Sequence, residues 1–169
     1  MGPQWVGWGW TGLRSVRRGD QVRECAILCV STMADIPTEL RFETARFNLS
    51  VELDHFLNPG CFGQDAAAWL RWVLLLRGVE ATPPGQEDWG WYVEAEYQGE
   101  AYLLGVSGFP ASGTGDPNQG EWSLLVHKHR TFWERLLGRN KLTMDDGMVG
   151  LLREIVSGEE DFTPRTGGG

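Results

Sequence analysis

Glu87-Asp88-Trp89-Gly90-Trp91-Tyr92-Val93-Glu94-Ala95-Glu96-Tyr97, then Gln98-Gly99, then Glu100-Ala101-Tyr102-Leu103-Leu104-Gly105-Val106, reads as a β-hairpin whose side chains set its register. Trp89, Trp91, Val93, Ala95 and Tyr97 fall on one face, and Gly90, Tyr92, Glu94 and Glu96 on the other, because strand side chains alternate. Gln98-Gly99 is a two-residue turn with Gly available for positive φ. The turn pairs Tyr97 with Glu100, Ala95 with Tyr102, Val93 with Leu104 and Trp91 with Val106. A slip by one residue would send the two apolar sets to opposite faces, so one register is selected.

The pattern extends in both directions. Residues 46–54 alternate, with Phe47, Leu49, Val51 and Leu53 inward, and are expected to form the first strand. Asn58-Pro59-Gly60 is a turn, and a helix is expected from Gln64 to Arg77, stopped by Gly78. Trp72, Leu74 and Leu75 broaden its apolar surface, which predicts cover on more than one side. Residues 107–120 are too rich in Gly, Pro and Asn for regular structure. Glu121 to His129 is the fourth strand, with Trp122, Leu124 and Val126 inward. A short helix over Thr131–Leu137 follows. A second C-terminal helix is expected from Thr143, with Asp146 completing a capping box; Met148, Val149, Leu151, Leu152, Ile155 and Val156 form its buried stripe, and Gly158 ends it. The expected fold is α+β: one four-stranded, mostly antiparallel sheet with two to three helices packed on one face. Residues 33–158 form that single domain. Residues 1–32 are expected to be a disordered extension ahead of a start at Met33, and residues 159–169 a disordered tail.

The 169 residues carry a net charge of −8. Residues 1–32 hold four Arg against Asp20 and Glu24, net +2, which leaves about −10 for the remainder. Phosphate binding needs Lys and Arg, so nucleic acid is a poor partner and a basic protein a better one. Cys25, Cys29 and Cys61 form no disulfide framework and no paired zinc motif, which suits a reducing cytoplasm. No segment has the length of a membrane span, so no membrane association is expected. Cys61 reads as a small buried side chain, and no cofactor is implied.

With helices over the aromatic face, the other face of the sheet is left open. It is expected to present Asn48, Ser50, Glu52, Tyr92, Glu94, Glu96, Leu103, Leu125, His127 and His129. Of these, Tyr92, Glu94, Glu96, Leu103, Leu125, His127 and His129 form the candidate binding surface. The pairs His127/His129 and Glu94/Glu96 each point one way and carry metal-ligating groups, but lack a third ligand at diagnostic spacing, so a metal site is not favoured. Lys128 and Arg130 interleave the histidines, which reads as a solvated polar edge. No nucleophile elbow or phosphate-cradling glycine pattern is present, so no catalytic residue is assigned.

The combination Asn58-Pro59-Gly60-Cys61-Phe62-Gly63, Asp65-x-x-x-Trp69-Leu70 and Glu87-Asp88-Trp89-Gly90-Trp91 resembles a family of small uncharacterised bacterial proteins over roughly residues 46–106. The resemblance implies a bacterial, single-domain, cytoplasmic protein and transfers no catalytic residue. The leading expectation is a non-enzymatic protein-binding module, immunity- or inhibitor-like, that neutralises a basic partner. The alternatives are a metal-dependent enzyme using His127, His129, Glu94 and Glu96, or a structural domain that self-associates through its open face. The sequence does not fix the oligomeric state.

Overall fold

The computed structural model describes residues 38–52, 57, 59–111 and 115–165. The expected extension 1–32, with Cys25 and Cys29, lies outside the described residues, as do Met33, Leu53 and His55. The elements in chain order are β1 (Thr38–Thr44), α1 (Gln64–Leu76), β2 (Glu80–Ala81), β3 (Gly85–Glu87), β4 (Gly90–Tyr97), β5 (Glu100–Pro110), β6 (Gly120–Lys128), α2 (Phe132–Leu136), α3 (Gly147–Gly158) and β7 (Thr163–Arg165).

The β4–β5 hairpin has the register its side chains select, with Tyr97 opposite Glu100, Ala95 opposite Tyr102, Val93 opposite Leu104 and Trp91 opposite Val106. Gln98 and Gly99 turn it with φ of 54° and 79°. Two successive positive φ values match the right-handed twist of the flanking strands. The fold is α+β as expected, but the sheet has seven antiparallel strands rather than four, in the order β2-β4-β5-β6-β1-β7 with β3 also on β4. β2, β3 and β7 are two or three residues long, too short to show a period in the sequence.

The first strand also differs from the expectation. β1 is Thr38–Thr44, paired with β6, and residues 46–52 bend instead. The Asn48 side chain explains the bend: its Oδ1 accepts from the Ser50 and Val51 amides at 3.2 and 2.9 Å, and its Nδ2 donates to the Val51 carbonyl. Such local bonds compete with a sheet ladder. Phe47 and Leu49 still reach the core, whereas Val51 is exposed. α1 crosses from β1, inside one edge, to β2 at the opposite edge.

The buried faces of α1 and α3 share one core with the inward residues of the sheet, Phe42, Trp91, Val93, Leu104, Trp122, Leu124 and Val126 among them. Leu74 is fully buried, but Trp72 and Leu76 are 59% and 65% exposed, so among the described residues the second side of α1 lacks the expected cover. Asp146, not Thr143, caps α3 by accepting from Met148 N at 3.0 Å. A reciprocal capping box lies at α2 instead: Thr131 N donates to Glu134 Oε2 at 2.8 Å, and Glu134 N to Thr131 Oγ1. The Thr131 amide and hydroxyl both donate to the Glu134 carboxylate, and with the Asn140 amide they hold it below its ordinary value.

The chain stays ordered past Gly158, so residues 159–165 do not belong to the expected tail. Phe162 stacks on Phe42 with centroids 4.5 Å apart and meets Phe47 edge-on. The Arg46 guanidinium binds Glu159 and Asp161 and lies 4.7 Å from the Phe162 ring centre. An apolar anchor with charge pairs offsets the entropy of ordering this segment. Residues 166–169 lie outside the described residues. Ser107–Pro110, expected to be irregular, pairs with β6 as the end of β5.

Residues 61–63 and 90–91 meet beside β5. Trp91 Nε1 donates to the Cys61 carbonyl at 3.0 Å. Gly63 and Gly90, with φ of 139° and 154°, both crowd the Val106 carbonyl, where a Cβ would lie 3.0 and 3.1 Å from its oxygen.

Candidate functional site

The side of the sheet away from α1 and α3 presents the candidate surface. Five register rows define it, because side chains of paired residues share a face. Glu80, Glu96 and Ala101 form the first, with His129 bonded through its amide to the Ala101 carbonyl. Glu94, Leu103 and His127 form the second. Gly85, Tyr92, Gly105, Leu125 and Glu39 form the third. Ser107, Ser123, Arg41 and Arg165 follow, then Phe109, Glu121, Glu43 and Thr163. All seven residues expected on the binding surface, Tyr92, Glu94, Glu96, Leu103, Leu125, His127 and His129, therefore lie on one side. Asn48, Ser50 and Glu52 do not join them as strand residues, because their segment bends away.

Trp89 changes sides relative to the sequence pattern. Glu87 pairs with Gly90, so Asp88 and Trp89 form a two-residue turn and alternation restarts after them. The Trp89 indole lies over Gly105, where a Cβ would come within 2.8 Å of the ring, and it packs beside Tyr92 with centroids 6.4 Å apart. The centre of the open face is thus Trp89, Tyr92, Leu103 and Leu125, all partly exposed.

The two ends of this face differ in charge balance. Around Ser123, Glu39 accepts from Arg41 at 2.7 Å and from Ser123 at 2.6 Å, Arg41 also faces Glu121, and Glu43 pairs with Arg165. Burial works to raise the Glu39 pKa, but the bonds from Arg41 and Ser123 and the Arg41 charge outweigh it, leaving the carboxyl below its ordinary value. At the other end, a shallow groove of about 430 Å³ is lined by Glu80, Thr82, Glu94, Glu96, Ala101 and His129, with the backbone of β2, β4 and β5 beneath. Glu80, Glu94 and Glu96 make no ion pair among the described residues.

The His and Glu pairs do not make a metal centre. His127 and His129 are close, with ring centroids 5.6 Å apart. Glu94 and Glu96 sit on β4, and β5 separates them from the histidines by two strand spacings, about 9.6 Å. No three His, Cys, Asp or Glu side chains gather at one point among the described residues.

Lys128 and Arg130, expected to line a solvated edge, are only 8% exposed. Alternation puts Lys128 on the core face with Val126, where its Nζ lies 3.2 Å from Asp146 and 3.8 Å from Glu100. Tyr102 donates to Asp146 Oδ1 at 2.9 Å, and burial, reinforced by that carboxylate, pushes its phenol well above its ordinary pKa. Arg130 donates to the Arg139 carbonyl at 3.1 Å. This cluster ties the end of the sheet to the start of α3. The alternation of Val126 and Lys128 placed it inward, but its partner Asp146 lies in another element and gave no local signal.

Cys61 is buried, and its thiol faces the Asp88 carbonyl at 3.7 Å. No helix among the described residues is long and apolar enough to cross a membrane. No protein-family model, curated protein or solved structure matches the chain.

Proposed function

We propose that the protein is a non-enzymatic, cytoplasmic binding module of immunity or inhibitor type, which neutralises a basic protein through the open face of its sheet. One observation carries this reading: an aromatic and aliphatic centre, Trp89, Tyr92, Leu103 and Leu125, beside carboxylates that no described cation balances. Aromatic anchors inside a polar rim are the usual anatomy of a protein interface. Strand addition suits the sheet less well. The outer β7 is three residues with Pro164 at its centre, and the opposite edge is interrupted by Pro83 and Pro84 between β2 and β3.

The test is affinity capture of a basic protein from a host extract at about 50 mM salt, followed by elution with salt. Wild-type protein recovers the partner, Leu125→Arg loses it, and Leu75→Arg on the helical side retains it. Equal recovery by both variants refutes the reading.

A further inference from the structure

Resting on that reading, we infer that the partner inserts a lysine or arginine side chain into the groove between β2 and β5, while its neighbouring apolar residues cover Leu103, Leu125, Tyr92 and Trp89. Charge complementarity singles out this part of the face. The carboxylates around Ser123 already hold Arg41 and Arg165, Glu100 faces Lys128, and Glu159 and Asp161 hold Arg46. Glu80 on β2 and Glu94 and Glu96 on β4 line the groove with no such partner among the described residues. The fold concentrates them: β2 sets Glu80 directly opposite Glu96, and like charges so placed repel. An incoming cation relieves that repulsion.

The groove has room for a side chain. Ala101 forms a low floor between Glu96 and His129, so the site is open from above. The Thr82 side chain is fixed at its rim, its hydroxyl accepting from the Glu94 amide at 3.1 Å. Leu103 lies beside Glu94 in the next row and continues into the apolar centre, so an alkyl stem and an apolar neighbour on the same partner segment meet matching surface. Across the groove, His129 is the one titratable nitrogen among its lining residues, and His127 stands beside it.

The experiment is titration of the ¹⁵N-labelled full chain with a tetralysine peptide, and with the same peptide carrying one internal Trp, at about 50 mM salt. Both peptides are expected to shift the amides of Glu80, Thr82, Glu94, Glu96, Ala101 and His129, and the Trp peptide also those of Tyr92, Leu103 and Leu125. Glu94→Gln/Glu96→Gln weakens the tetralysine affinity about tenfold, at a few-fold for each exposed pair removed, and reduces its salt dependence. Shifts of the central residues that bypass the groove, unaltered in the double variant, overturn this inference but leave the binding face standing. Shifts confined to the helices, or the absence of saturable shifts, overturn both.

Discussion

Replacing Asp146 with alanine removes three interactions at once. Its carboxylate caps α3 through the Met148 amide, accepts the Tyr102 hydroxyl and faces Lys128 Nζ at 3.2 Å. Loss of an N-cap costs about 1 kcal/mol. A buried cation left without its partner costs about 3–5 kcal/mol, and here the lower end applies because Glu100 remains 3.8 Å from Lys128. The stranded Tyr102 hydroxyl adds about 1 kcal/mol. The contributions overlap, so Asp146→Ala is expected to destabilise by about 4 kcal/mol, a large share of the roughly 5–15 kcal/mol of a typical domain. Asp146→Asn keeps the cap and the tyrosine acceptor and should cost about half as much. Lys128→Met/Asp146→Ala removes the unpaired charge and should recover at least about 2 kcal/mol of the single-variant loss. Urea unfolding followed by circular dichroism gives all three values, provided the slopes agree. A loss below about 1 kcal/mol for Asp146→Ala, or a double variant no more stable than the single one, refutes the account of this cluster.

Phe162→Ala should cost about 3–4 kcal/mol by the same assay, because the ring is 6% exposed and stacked on Phe42; a loss under about 1 kcal/mol would return residues 159–165 to a dispensable tail. Gly120→Ala should destabilise by about 2 kcal/mol, since its Cβ would sit 2.4 Å from the Phe109 carbonyl oxygen, whereas Gly105→Ala meets only the far end of the Trp89 ring and should cost less than about 1 kcal/mol while shifting indole emission to the red. Tyr102 has a folded pKa above its unfolded value, so its contribution is complete below about pH 10 and fades as pH rises toward the folded value. Unfolding midpoints measured from pH 8 to 11 should therefore fall more steeply in wild type than in Tyr102→Phe; parallel curves would count against this.

The hairpin was legible because two strands of alternating side chains met at a two-residue turn that tolerates positive φ, so local and long-range preferences agreed. β1 was harder to find. Leu40, Phe42 and Thr44 do alternate with Glu39, Arg41 and Glu43, but the more apolar alternation of residues 46–54 competed with them, and the Asn48 side chain decided against that segment. Alternation counted through Asp88-Trp89 puts Trp89 on the wrong face, because a tight turn there interrupts the period of two. The seven residues of the candidate surface follow from alternation alone, whereas Asn48, Ser50 and Glu52, expected beside them, lie in the segment that bends away. The groove was not, because it depends on β2, two residues long, bringing Glu80 opposite Glu96.

The most direct test of the binding-face account is hydrogen–deuterium exchange of the full chain with and without the captured basic partner. The account predicts new protection in residues 89–96, 101–107 and 121–129, with α1 and α3 unchanged. Protection confined to α1, around the exposed Trp72 and Leu76, would contradict it and move the interface to the helical side.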